Sequence, residues 1–229
     1  SSYGRSQLCR WARAEDWGAG RIEPPADLHV LAVEAEAAEG AAVPARVPGL
    51  PDAAFAHDGV MTKREVRAAT LAKLSPFPGQ MLWDVGCGCG SVAVEWMRAA
   101  RDARAVGIEP RADRRALAAA NAQRLGVPGL EVREGRAPEA LAGLPAPDAV
   151  FLGGGLSEAA VEAAWAALRP FGRLAANAVT LESEALLLGL HARMGGELVR
   201  IRTERAEPVG GMTGWKPSMT VTQWSLEKR

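Results

Sequence analysis

The segment Asp84-Val85-Gly86-Cys87-Gly88-Cys89-Gly90 constrains the fold more than any other part of the chain. It closes the short apolar run Met81–Val85 and opens a helical stretch, Ser91–Ala100. A glycine turn between a buried strand and a helix marks the ligand corner of a doubly wound α/β sheet, where ligands lie beyond the carboxyl ends of the strands. Glycine lets the backbone pass close to a ligand and adopt positive φ. The spacing is G-x-G-x-G, not the G-x-G-x-x-G of dinucleotide sites. A dinucleotide loop seats a pyrophosphate on the helix N-terminus. Asp84, two residues before the first glycine, would repel that group and would suit the ammonium end of an amino acid.

The pattern that follows agrees with such a sheet. Strand-like segments at Ala105–Glu109, Leu130–Glu134, Asp148–Leu152 and Arg173–Val179 alternate with helical ones at Asp113–Leu125, Pro138–Leu141, Glu158–Leu168 and Glu182–Met194. Short apolar strands separated by helices imply a parallel sheet covered on both faces. Two further strand-like segments, Glu197–Thr203 and Met219–Leu226, have no helix between them and predict an antiparallel strand at the sheet edge. Before the first strand, Thr62-Lys63-Arg64-Glu65 reads as a capping box, with Thr62 as N-cap of a helix through Val66, Ala69, Thr70 and Leu74. Residues 1–34 are too short to fold alone, 35–54 read as a Pro-rich linker, and the domain proper is placed at 55–229.

Other strand ends carry the remaining candidates. Glu109 ends the second strand, 25 residues after Asp84, where an acid accepts hydrogen bonds from both ribose hydroxyls of an adenosine. Glu134-Gly135-Arg136-Ala137-Pro138 ends the third, where Arg136 and Ala137 would flank an adenine. The fourth ends in Gly153-Gly154-Gly155, which supplies space and backbone but no base.

Composition excludes several classes. Lys+Arg and Asp+Glu are 27 each in 229 residues, so there is no basic surplus of the kind that grips phosphate backbones. Cys9, Cys87 and Cys89 make neither a disulfide framework nor a metal site. No leader and no long apolar span is visible, which fits a cytoplasmic protein without a membrane partner. His29, His57 and His191 are isolated and read as surface or core residues.

Three stretches together resemble the decarboxylating precorrin methyltransferases of cobalamin biosynthesis. They are Met61-Thr-Lys-Arg-Glu-Val-Arg67, Asp84 to Val92, and Glu134-Gly-Arg-Ala-Pro-Glu-Ala-Leu141. Asp148 to Gly154 and Gly172 to Glu182 extend the resemblance, which covers about Phe55 to Leu226. The glycine motif alone is shared by all methyltransferases of this fold that use S-adenosylmethionine (SAM). The Thr-x-x-Glu-Val-Arg and Glu-Gly-x-Ala-Pro-Glu-Ala-Leu runs are narrower. Cys89 stands where the family commonly has threonine, which keeps a small side chain.

The resemblance implies a class I SAM-dependent methyltransferase, with a Rossmann-like, mostly parallel sheet and an antiparallel edge strand. It implies SAM held by Thr62, Asp84, Gly86, Cys87, Gly88, Cys89, Gly90, Glu109, Arg136 and Ala137. It implies a carboxylate-rich tetrapyrrole (precorrin) substrate, methylated at carbon 15 and decarboxylated at the ring C acetate. Substrate contacts are expected from Lys63, Arg67, Gly153, Gly154, Asn177 and Lys216, with Arg64 and Arg205 as further rim cations and Trp215 packing on the macrocycle or in the core. It also implies a homo-oligomer, a tetramer, and a fused tetrapyrrole-methylase domain whose last strands would be residues 1–34. The rival readings are an RNA or protein methyltransferase, a non-catalytic SAM-binding module, and a nicotinamide dehydrogenase. The glycine spacing and Asp84 count against the last.

Overall fold

The computed structural model describes residues 44–229 without a break, and before them only residues 12–13, 15–16, 19–21, 34 and 36–41. The chain divides into a unit of Ser1–Val43 and a unit of Pro44–Arg229. The expected strands within 1–34, with Cys9 and His29, lie outside the described residues.

The helices of the second unit are α1 (Arg64–Leu74), α2 (Ser91–Ala99), α3 (Ala112–Arg124), α4 (Glu158–Ala167) and α5 (Leu181–Met194). Its strands are β1 (Met81–Val85), β2 (Arg104–Ile108), β3 (Glu131–Arg133), β4 (Ala149–Leu152), β5 (Arg173–Ala178), β6 (Glu197–Ile201), β7 (Glu204–Val209), β8 (Met212–Pro217) and β9 (Val221–Glu227). Seven strands form one sheet in the order β3-β2-β1-β4-β5-β9-β6, and β7 and β8 form a separate hairpin. The chain starts at β1 and winds both ways, so the switch point lies between β1 and β4, beside the glycine turn.

Side chains alternate across the sheet. Met81, Trp83 and Val85 of β1 enter one core with Val161 and Leu187 of α4 and α5. Leu82 enters the other with Leu71, Val92 and Ala122 from α1, α2 and α3. β1 and β4 are therefore buried on both faces, as their unbroken apolar runs require.

Two expectations change, and one element is new. The antiparallel strand is β9, and it lies one place in from the edge, paired with β5 on one side and β6 on the other. The burial of β9 explains the order: Val221 to Trp224 are all buried, whereas β6 is half-exposed and tolerates the edge. The hairpin β7–β8 was not foreseen as a separate element. The assigned linker also ends too late, because Leu50 is buried in the core and the amides of Gly49 and Leu50 donate to Glu95.

Candidate active site

The glycine turn is fastened to the sheet by its own backbone. The amides of Gly86 and Cys87 both donate to the Ile108 carbonyl at the end of β2, at 2.9 and 3.1 Å. Gly86 has φ +72°, and a Cβ there would lie 2.3 Å from the Gly155 nitrogen. The glycine run after β4 is thus a packing partner of the turn. Gly155 abuts Val85 and Gly86, and the Gly153 amide donates to the Val85 carbonyl at 3.1 Å. Only Gly154 is exposed. By contrast, Gly88, at φ +54°, has nothing within 4 Å of its missing side chain. The turn is therefore tight at its base and open at its tip.

Two buried acids adjoin the turn, Asp84 at its base and Glu109 at its tip. Asp84 is 1% exposed. Its Oδ2 accepts from the Ala93 amide of α2 at 3.0 Å, and its Oδ1 has no partner. Burial pushes its pKa up to about 7, the nearby Glu109 charge pushes the same way, and the Ala93 amide opposes them. Glu109, also buried, accepts from the Gly88 amide through Oε2 and from the Arg111 amide through Oε1, both at 3.0 Å. A buried carboxylate oxygen with no donor is costly unless a cation or hydrogen-bond donor arrives. The two carboxylates and the open glycine backbone fit an amino-acid ammonium and a ribose diol. They do not fit a phosphate. The Cys87 and Cys89 thiols are raised by burial first and then by Asp84, so neither is an activated nucleophile.

At the third strand end, Arg136 is exposed and its carbonyl accepts from the Ala140 amide, while Ala137 packs on the core. What this corner offers a ligand is backbone. Thr62 is not an N-cap. α1 starts at Arg64 with Lys63 in the capping position, and no side chain caps it. The Thr62 carbonyl is drawn to Arg67, and Glu65 turns outward to Arg205 at 2.6 Å, which leaves no capping box.

Arg67, expected at the substrate rim, is completely buried. It pairs with Glu95 at 2.6 Å and Asp52 at 3.2 Å, donates to the carbonyls of Thr62 and Leu50, and stacks over the Phe55 ring. With its donors so engaged, it holds the domain together and does not reach a substrate. Asn177 donates to Thr70 Oγ1 at 3.0 Å and accepts from Gln223 at 2.9 Å, so its amide ties β5 to α1 and β9. Lys216 lies on the hairpin, paired with Glu207 at 2.8 Å, and Trp215 beside it is 73% exposed, packed in no core. Lys63 is half-buried at the start of α1. Among the described residues, His57 and His191 bond only local backbone.

Two site residues escaped the sequence reading. Asn121 of α3 is fully buried and donates to the Cys89 carbonyl in the glycine turn. Glu95 of α2 binds Arg67 and two amides. Each is a polar residue set among apolar neighbours on a helix, Ala-Asn121-Ala and Val-Glu95-Trp, and that is the signal that could have revealed them.

The family described as precorrin methyltransferase domain matches residues 53–228. The chain is 56% identical over 210 residues to a precorrin-6Y C(5,15)-methyltransferase [decarboxylating] of a Sinorhizobium species, covering 91% of this chain and 50% of that protein. It is 36% identical over 193 residues to a probable cobalt-precorrin-6B C(15)-methyltransferase (decarboxylating) of Pyrobaculum calidifontis, covering 80% of this chain and 98% of that one. The crystal structure of the C-terminal domain of precorrin-6Y C5,15-methyltransferase from Rhodobacter capsulatus superposes with a TM-score of 0.76 at 52% identity, covering 80% of this chain and all of that domain. The chain spans about half the length of the Sinorhizobium protein.

Proposed function

The chain belongs to the precorrin methyltransferase family, and we propose that it methylates carbon 15 of a precorrin-6B-type tetrapyrrole with SAM and removes the carboxylate of the ring C acetate. The observation that carries the reading is the unpartnered Oδ1 of buried Asp84, near Glu109, whose own carboxylate accepts from the Gly88 amide at the open tip of the turn. The printed names of the relatives, one of them matched over 98% of its length, support the substrate.

Bound SAM supplies an activated methyl on a sulfonium. Asp84 would accept the ammonium of its amino-acid end, Glu109 the ribose hydroxyls, and the backbone at Arg136 and Ala137 the adenine edge. The protein's remaining work is to align the donor with the substrate carbon and exclude water. The end of β4 offers glycine backbone and no general base, as suits a carbon nucleophile made electron-rich by a conjugated ring. Lys63 and Lys216 remain candidates for the substrate's carboxylates. Arg67 is withdrawn from that role.

In this reading carbon 5 is methylated elsewhere, by a tetrapyrrole-methylase domain of the kind that would account for the other half of the Sinorhizobium relative. We assign the protein to the cytoplasm. No helix among the described residues is long and apolar enough to cross a membrane. A homo-oligomer, a tetramer, belongs to the same proposal. It is supported by the hairpin, where Val209, Met212 and Trp215 are exposed.

The test is incubation of the purified chain with SAM and precorrin-6B, followed by mass measurement of the product. Gain of one methyl with loss of one CO₂ is expected. Gain of two methyls would overturn the assignment to carbon 15 alone, and an unchanged mass with S-adenosylhomocysteine binding intact would overturn the substrate.

A further inference from the structure

The stretch from Ala56 to Thr62 is held at both ends by buried side chains and crosses between them in the open. At its first end, Asn121 grips Ala56 as a neighbouring strand would: Oδ1 accepts from the Ala56 amide and Nδ2 donates to the Ala56 carbonyl, both at 2.9 Å. The same Nδ2 donates to the Cys89 carbonyl of the glycine turn at 2.9 Å. At its other end, the Thr62 carbonyl accepts from buried Arg67 at 2.6 Å. Between these anchors Asp58, Gly59 and Val60 are exposed, and Val60 is 62% accessible, so packing does not fix the middle.

The middle is instead fixed by Asp58. Its Oδ1 accepts from the Val60 amide at 3.1 Å, which shapes the bend. Its Oδ2 meets Arg114 of α3 at 2.8 Å, with Arg111 at 3.8 Å. The backbone amide of Arg111 in turn donates to Oε1 of Glu109. One ion pair therefore joins the stretch to the turn that carries the ribose-facing acid, while Asn121 joins it to the glycine turn.

We propose that Ala56–Thr62 is a strap that closes over the cofactor turn and that Asp58 is its latch, a positioning residue whose pairing with Arg114 and Arg111 sets how long the cofactor stays bound. The proposal rests on the SAM reading above. Asp58 needs no contact with the cofactor. The hydrogen bond from Arg114 holds its carboxyl below the usual carboxylate range, so the latch stays charged at neutral pH. Because Asp58 and its partners lie at the surface, salt screens the latch, whereas the buried anchors are screened far less.

The test uses the full chain with S-adenosylhomocysteine and compares wild type, Asp58→Asn and Asp58→Glu. The dissociation rate should rise roughly two- to fivefold in Asp58→Asn, the range of an exposed ion pair. It should return toward wild type in Asp58→Glu. Added salt should speed release from wild type and leave Asp58→Asn unchanged, and the thermal midpoint of the ligand-free variant should fall by no more than the few degrees that an exposed ion pair contributes. Amides 57–61 should exchange with solvent more slowly when the ligand is bound, and less so in Asp58→Asn. Release from Asp58→Asn at the wild-type rate, or wild-type strap amides indifferent to the ligand, would overturn the latch while leaving the SAM reading standing. Failure of the unaltered chain to bind S-adenosylhomocysteine at all would overturn both.

Discussion

Asp84 links burial to ligand chemistry. Burial pushes its carboxyl up to about 7 from an ordinary 3.8. A raised carboxyl favours the fold while it is protonated. That contribution is complete below the ordinary value and is lost as pH rises through about 7. An ammonium ligand has the opposite preference, because it needs the carboxylate. The affinity of S-adenosylhomocysteine should therefore climb between about pH 6 and about pH 8 as binding releases the Asp84 proton. Calorimetric titrations across that window should show the climb in wild type and a weak, flat affinity in Asp84→Asn. The same climb in the variant would assign the proton to another group.

At the scale of elements, the glycine turn and the N-terminal clasp make separate demands. Gly86 combines φ +72° with a neighbouring backbone nitrogen that a methyl would approach to 2.3 Å. Backbone cannot step aside as a long side chain can. Gly86→Ala should displace the turn from the Gly154–Gly155 run and abolish measurable S-adenosylhomocysteine binding, with strain of about 1–3 kcal/mol before any steric term. The clasp is the Arg67–Glu95 pair, which joins α1 to α2 and holds the amides of Gly49 and Leu50. Removing Glu95 leaves fully buried Arg67 with only the partly exposed Asp52 and strips the Gly49 and Leu50 amides of their acceptor. Glu95→Ala should cost about 3–5 kcal/mol in chemical unfolding at neutral pH. If Arg67 instead served the substrate, Arg67→Ala would raise KM for the tetrapyrrole and leave stability nearly unchanged.

At the scale of the molecule, the hairpin β7–β8 is the part with least to do inside one subunit. It pairs only with itself in the sheet sense and leaves Val209, Met212 and Trp215 in solvent. It is tied back to the domain by Arg205, which reaches Glu65 at 2.6 Å and Asp52 at 3.5 Å. Exposed large apolar side chains on a projecting element are a common mark of a subunit contact. Light scattering should therefore find an oligomer at micromolar concentration. The double variant Met212→Glu/Trp215→Glu should run as a smaller species with unchanged secondary structure. A wild-type monomer would remove the oligomer from the proposal.

The doubly wound sheet, the glycine turn at its switch point and the two acids that adjoin the turn are legible in the sequence. Those features are written locally. Apolar period, glycine spacing and the residue at a strand's end report burial and backbone conformation within a few positions. Which polar side chains meet is set by the assembled fold. Arg67 looked like a rim cation because its burial depends on Glu95, 28 positions away, and Asn121 looked like nothing because its work is on Ala56, 65 positions away. It also decided that β9 lies inside β6 and that β7–β8 stands apart. Strand order beyond β5 turns on which segment buries both faces, and Trp224 settles that only once the rest of the core is assembled around it. Pairings across long sequence separation leave no period to read, so they are legible only in the folded molecule.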